Sequence, residues 1–191
     1  MTRIGIFGGS FDPVHLGHLL VAQAAREEAQ LDRVFFVPAT QSPFKPDRRP
    51  ASGPARAALL RIALAGKRWA EVDTQELDRG GISYSIDTVR NFHQRFPRAQ
   101  FFYLIGADHF PQLPKWRDSS ALAELATFLV IPRPGDQPLA TPAPFNTQWL
   151  KGTPVAISAS EIRARLRASL SIDHLVPPTA AEFILNTGLY S

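Results

Sequence analysis

The stretch from Ile4 to His18 constrains this chain more than any other. An apolar run enters Gly8-Gly9, and Ser10-Phe11-Asp12-Pro13-Val14 then leads to His15-Leu16-Gly17-His18 at an expected helix start. Adjacent glycines let a backbone pass close to a ligand, and the free N–H groups of a helix N-terminus attract an anion. Strand, glycine turn and helix in that order open an α/β unit, and the ligand expected at such a turn is a phosphate.

The rest of the chain extends that unit. Arg33-Val34-Phe35-Phe36-Val37-Pro38 reads as a second strand, so the opening third has a βαβ pattern. In the intervening helix Leu16, Leu20 and Ala24 share a face opposite Gln23, Glu27 and Gln30. Five prolines between Pro38 and Pro54 mark a loop. Ala55 to Ala65 reads as a helix, Ala70 to Thr74 as a weak strand, and Ser85 to Phe96 as a helix opened and capped by Ser85-Ile86-Asp87-Thr88, with Ile86, Val89 and Phe92 on its apolar face.

Gln100 to Gly106 is the strongest strand pattern, and ligands sit at the carboxyl ends of strands in open α/β sheets. Gly106 and Asp108 therefore belong on the binding face. A short helix over 121–126 and a strand over 127–132 follow, then an irregular, proline-rich connection from Pro132 to Pro154. Ser158-x-x-Glu161 and Thr179-x-x-Glu182 open two final helices, the second ending at Gly188. The expected class is α/β, a doubly wound, mainly parallel sheet with helices on both faces.

Composition limits the alternatives. With 191 residues, 45% hydrophobic and 20% charged, the chain is expected to fold as a single domain, 1–191. The absence of cysteine removes disulfides, thiolate metal sites and a cysteine nucleophile. Met1-Thr2-Arg3 runs straight into a strand and no apolar segment approaches 18 residues, so the expected location is the cytoplasm, away from membranes. A net charge of +4 is modest and does not call for nucleic acid. The arginines at 48, 49 and 56 and at 163, 165 and 167 read as mostly water-facing.

His15 and His18 could be zinc ligands, but no third ligand lies at a customary spacing. A histidine pair flanking a glycine beside a glycine turn is a poor way to build a core and a good way to surround a phosphate. Phosphoryl and nucleotidyl transfer need mainly positioning and charge stabilisation, which imidazole N–H donors supply. Neither a G-x-x-x-x-G-K-[ST] loop nor a G-x-G-x-x-G fingerprint is present, which disfavours kinases, GTPases and dinucleotide dehydrogenases.

These residues carry a resemblance. Gly8 to His18 with its H-x-G-H core, Ser83-Tyr84-Ser85-Ile86-Asp87-Thr88-Val89, Ile105-Gly106-Ala107-Asp108, Leu113-Pro114-Lys115-Trp116, Arg133-Pro134 and Ile157-Ser158-Ala159-Ser160-Glu161-Ile162-Arg163 together resemble the H-x-G-H nucleotidyltransferase superfamily. Within it they resemble the bacterial nicotinate-nucleotide adenylyltransferases, from Ile4 to about Tyr190. The resemblance implies a Rossmann-like fold. It implies adenylyl transfer from magnesium-bound ATP to nicotinate mononucleotide, giving nicotinate adenine dinucleotide and pyrophosphate in NAD synthesis, by in-line attack without a covalent enzyme intermediate.

Carried over by motif, the resemblance makes His15 and His18 the catalytic pair. Gly8, Gly9, Ser10, Phe11, Gly106, Asp108, Ile157, Ser158, Ser160 and Arg163 would bind ATP and its phosphates, so that the helical part from about 158 to 191 completes the ATP site. Lys45, Ser85, Thr88, Trp116, Arg117 and Arg133 would bind nicotinate mononucleotide, with Trp116 stacked on the ring and donors aimed at its carboxylate. Magnesium would arrive with ATP, and no protein metal ligand is named. The partners implied are these two small molecules, without nucleic acid or membrane, and self-association is left open.

One position departs from the family pattern: Phe44 stands where the loop usually carries a histidine before Lys45. His93 reads as a surface residue, His109 lies next to Asp108 near the expected nucleotide site, and His174 has no assigned role. The competing readings are a phosphopantetheine adenylyltransferase, an enzyme that prefers or also accepts nicotinamide mononucleotide, and a nucleotide-binding regulatory module without turnover.

Overall fold

Gly8-Gly9 and Gly106 end neighbouring strands at the middle of a parallel sheet. The computed structural model describes residues 1–43, 50–153 and 155–190. Among these, β1 (Arg3–Gly9), β2 (Arg33–Pro38), β3 (Ala70–Val72), β4 (Gln100–Gly106), β5 (Thr127–Ile131) and β6 (Thr147–Trp149) form one sheet in the order β3-β2-β1-β4-β5-β6. Each neighbouring pair is parallel, with Ile4 opposite Arg33 on one side of β1 and Phe101 on the other.

Strand side chains alternate between two cores. Val34, Phe36, Phe102, Leu104 and Leu129 pack on one face with residues of α1 (Leu16–Glu28), α2 (Gly53–Leu64), α6 (Ala159–Arg167) and α7 (Pro178–Thr187). Phe35, Val37, Phe101, Tyr103, Ile105, Phe128 and Val130 pack on the other with α4 (Ser85–Arg95) and α5 (Ser119–Leu125). Burial on both faces explains the unbroken apolar runs of β2 and β4. The expected doubly wound α/β class is the one observed.

Several local expectations are corrected. Helix α1 buries Gly17, Ala22 and Ala25, while Leu20 is exposed, because small side chains let the helix lie close on the sheet. Tyr84, not Ser85, is the N-cap of α4, and Ser85 is its first helical residue. Pro177 occupies the N-cap of α7 and Pro178 begins it, the preset proline φ replacing the expected Thr179 cap. The connection after β5 contains β6, a three-residue edge strand too short to show alternation. Helix α3 (Gln75–Arg79) and a 3-10 segment over Ala107–Lys115 had no clear sequence signal, the latter containing Pro111 and Pro114. His93 is half-buried, with Nε2 2.9 Å from the Leu125 carbonyl oxygen and its ring on Phe101.

Candidate active site

The sheet order reverses direction between β1 and β4, since β2 continues to one side and β5 to the other. Diverging connections at such a point leave a crevice at the carboxyl ends of the strands. Two adjoining cavities of ≈ 280 and ≈ 310 Å³ occupy it and share Phe7, Gly8, Gly106 and His109. Gly106 adds no bulk there: a Cβ at this position would meet nothing within 4 Å.

The smaller cavity holds the histidines. His15 is the extended N-cap of α1 and His18 lies one turn on, so helical geometry brings their rings to 3.6 Å between centroids. Gly17 gives the His15 ring room: a Cβ there would lie 3.0 Å from His15 Nδ1 and push the ring by a few tenths of an ångström. The His15 backbone N–H donates to His18 Nδ1 at 3.2 Å, which leaves the His18 proton on Nε2 as a donor. Burial lowers the His15 pKa to about 4, and burial together with the neighbouring His15 holds His18 well below its ordinary value. Both imidazoles are neutral near pH 7 in the free protein.

Around them stand Asp108, Arg133, Lys151 and Ile157, and Asp108 is ion-paired with Arg133. Arg133 thus lines the histidine cavity, whereas the resemblance grouped it with Trp116. The start of α6 carries the expected Ser158 cap. Ser158 Oγ accepts the Glu161 N–H at 3.1 Å as a helix cap, and Ser160 Oγ accepts from Arg163 Nη2 at 3.1 Å. Arg163 Nη1 donates to the Asp12 carbonyl at 2.5 Å. Of this motif Ile157 lines the cavity, whereas Ser158, Ser160 and Arg163 do not.

The larger cavity holds Trp116, packed edge-on against Tyr103 and Phe128 with centroids 6.1 and 6.2 Å away. Gly9, Ser10, Ser85, Lys115 and Arg117 share its wall, and the Arg117 guanidinium lies 4.6 Å from the Tyr84 ring centre. Gly9 and Ser10 therefore face the tryptophan side, while Phe11 is buried behind both cavities. Ser85 Oγ and the Tyr103 hydroxyl are 2.9 Å apart, and burial pushes the Tyr103 pKa up.

Thr88 does not reach this cavity. It is fully buried and donates to Glu76 Oε1 at 2.5 Å, while Glu76 itself lines the wall. Burial raises the Glu76 pKa, against the hydrogen bonds of Thr88 and Ser83. Glu76, Lys115 and His109 are wall residues that were not among the expected binding residues, although Lys115 stands in the Leu113-Pro114-Lys115-Trp116 motif. His109 lies three residues beyond the end of β4, beside Asp108 near the expected nucleotide site, but Glu76 sits in a short helix without a motif. Phe44 and Lys45 lie outside the described residues.

Among the described residues no group of three His, Asp or Glu side chains is arranged to hold a metal, and no helix is long and apolar enough to cross a membrane. The cytidylyltransferase-like family profile matches residues 6–165. A relative from Opitutus terrae named probable nicotinate-nucleotide adenylyltransferase is 43% identical over 193 residues, covering 98% of this chain and 97% of its own. One of the same name from Thermus thermophilus is 42% identical, covering 98% and 99%. The structure of Plasmodium falciparum nicotinic acid mononucleotide adenylyltransferase complexed with NaAD superposes with a TM-score of 0.77 at 18% identity, over 100% of this chain and 98% of the other. The paired histidines at the sheet's reversal point and full-length similarity agree: the chain belongs to the cytidylyltransferase-like family and, within it, to the nicotinate-nucleotide adenylyltransferases, which are nucleotidyltransferase enzymes.

Proposed function

We propose that this enzyme transfers the adenylyl group of ATP to nicotinate mononucleotide, releasing pyrophosphate and forming nicotinate adenine dinucleotide for NAD synthesis. The observation that carries this reading is the pair of cavities that meet at Gly8 and Gly106, one beside two neutral imidazoles and the other beside an indole. The triphosphate takes the histidine cavity and the mononucleotide the tryptophan cavity. Their reacting phosphates then meet over the glycines. An oxygen of the mononucleotide 5′-phosphate bonds to the α-phosphorus as the bond to the bridging β-phosphate oxygen breaks, and no protein group is covalently modified.

His18 Nε2–H is the donor proposed to meet the α-phosphate, where negative charge spreads as the bond changes. Neutral imidazoles enter this role without a prior charge, and a bound anion raises their proton affinity. Asp108 and Arg133, already paired, are assigned to the ATP side, with the α6 terminus reached through Ile157. Magnesium, when bound, neutralises phosphate charge. The donor set fits an ion that travels on the phosphates and keeps most of its waters, with Asp108 as the carboxylate on that wall. Lys115 and Arg117 place cations where the nicotinate carboxylate is proposed to lie, and an amide would draw less on them.

The test offers nicotinate and nicotinamide mononucleotides in parallel with ATP and magnesium, measuring dinucleotide and pyrophosphate. Strong preference for nicotinate is expected. Equal efficiency would remove the carboxylate argument, and no product from either would overturn the proposed reaction.

A further inference from the structure

The turn between β1 and α1 is held by a residue that no motif marks. Arg56 of α2 was expected to face water, yet it is 1% exposed and heads the fully buried side chains by volume among the described residues. Its Nη1 donates to the Ser10 carbonyl at 2.7 Å and its Nε to the Ala51 carbonyl at 2.8 Å. The Ala51 N–H donates to Asp12 Oδ1 at 3.0 Å, and Arg163 donates to the Asp12 carbonyl. The carbonyls before and after Phe11 are therefore each fixed by an arginine, one from α2 and one from α6.

Between them Phe11 has φ +45°, a conformation that a residue with a side chain keeps only where its surroundings fix it. The Phe11 ring lies 5.0 Å from the His18 ring, edge-on, and 5.3 Å from Phe7. Burying a guanidinium is costly, and an apolar side chain of similar volume commonly serves stability as well. What the guanidinium adds is a planar fork with donors at fixed angles, which an ammonium does not have.

We propose that Arg56 is a positioning residue for adenylyl transfer: by fixing the Ser10 carbonyl it holds Phe11 in its left-handed conformation, and Phe11 holds the His18 ring in place. This rests on the reaction proposed above. Arg56→Lys and Arg56→Met are assayed beside the unmodified enzyme, with circular dichroism and thermal unfolding to identify folded protein.

Folded Arg56→Lys is expected to lose about 100-fold in kcat, with KM for nicotinate mononucleotide within about twofold, as for a catalytic group displaced by about an ångström. The His18 imidazole nitrogen resonances are expected to move in the same variant. A folded variant that keeps kcat within about threefold, or loses only KM, overturns the proposal. Phe11→Gly tests the second link, since glycine accepts φ +45° without strain and removes the whole side chain that packs on His18. An unchanged kcat in folded Phe11→Gly overturns the proposal whatever Arg56 variants do. Absence of product from the unmodified enzyme overturns the reaction itself, which separates the two failures.

Discussion

The histidine cavity takes the paired imidazoles of His15 and His18 from four consecutive residues, whereas the tryptophan cavity gathers Glu76 from α3, Ser85 from α4, Tyr103 from β4 and Trp116 from the end of the 3-10 segment. In the first, one helix start fixes ring spacing, tautomer and orientation together, so a single change there removes a chemical function. In the second, each element contributes one wall and none commands the whole. In the proposed reaction turnover is concentrated on one side of Gly8 and Gly106, and affinity is distributed on the other.

The largest effect should come from His18→Ala. Loss of a donor to the α-phosphate is expected to lower kcat by about 100- to 1000-fold, with KM for the mononucleotide nearly unchanged. Steady-state kinetics that instead show raised KM at constant kcat would erase the division between the cavities.

Stability against pH sharpens the same contrast. His15 is held near pKa 4 when folded, against 6.5 when unfolded, so above 6.5 it is neutral in both states. Between 6.5 and 4 the unfolded state alone takes the proton, and stability falls by on the order of 3 kcal/mol. Glu76 acts in the opposite sense. Its raised folded pKa makes the folded state protonate first, so acid favours folding from that pKa down to 4.5 and no further gain follows below. Urea titrations at pH 7 and pH 4 should show a net acid loss that His15→Asn relieves and Glu76→Gln enlarges.

A smaller change is expected from Thr88→Val, which removes a donor from a buried carboxyl and should cost about 1–3 kcal/mol of stability by denaturant melts while kcat is kept. Smallest is Trp116→Ala. Losing one aromatic face should raise KM for the mononucleotide by about fivefold and leave KM for ATP unchanged. An equal rise for ATP would mean that the cavities do not divide the substrates as proposed.

The sheet was largely legible in the sequence because buried parallel strands are continuous apolar runs, and β1, β2, β4 and β5 announce themselves that way. Strand β6 did not, since three residues at a sheet edge bury too little to leave a pattern. Helix α1 was found but turned wrongly: Leu16, Leu20 and Ala24 form the bulkier stripe, yet the alanine face meets the sheet. Among site residues, those clustered in motifs were visible, while Glu76 and Arg56 were not. A buried charge is identified by what the fold brings to it, and neighbouring residues carry no sign of that. Arg56 looked like a water-facing arginine because the Ser10 and Ala51 carbonyls it bonds are groups that every residue has.

The pairing of β1 with β4 joins Arg3 to Gln100 across 97 residues of chain. Such a contact closes a long loop before it returns any stabilisation, and folds that depend on contacts of this kind form slowly. A growing polypeptide that has completed both histidines has completed neither cavity, because Gly106 and Trp116 have still to arrive. Binding competence thus requires β1 and β4 to be paired, since Gly8 and Gly106 line both cavities from these two strands.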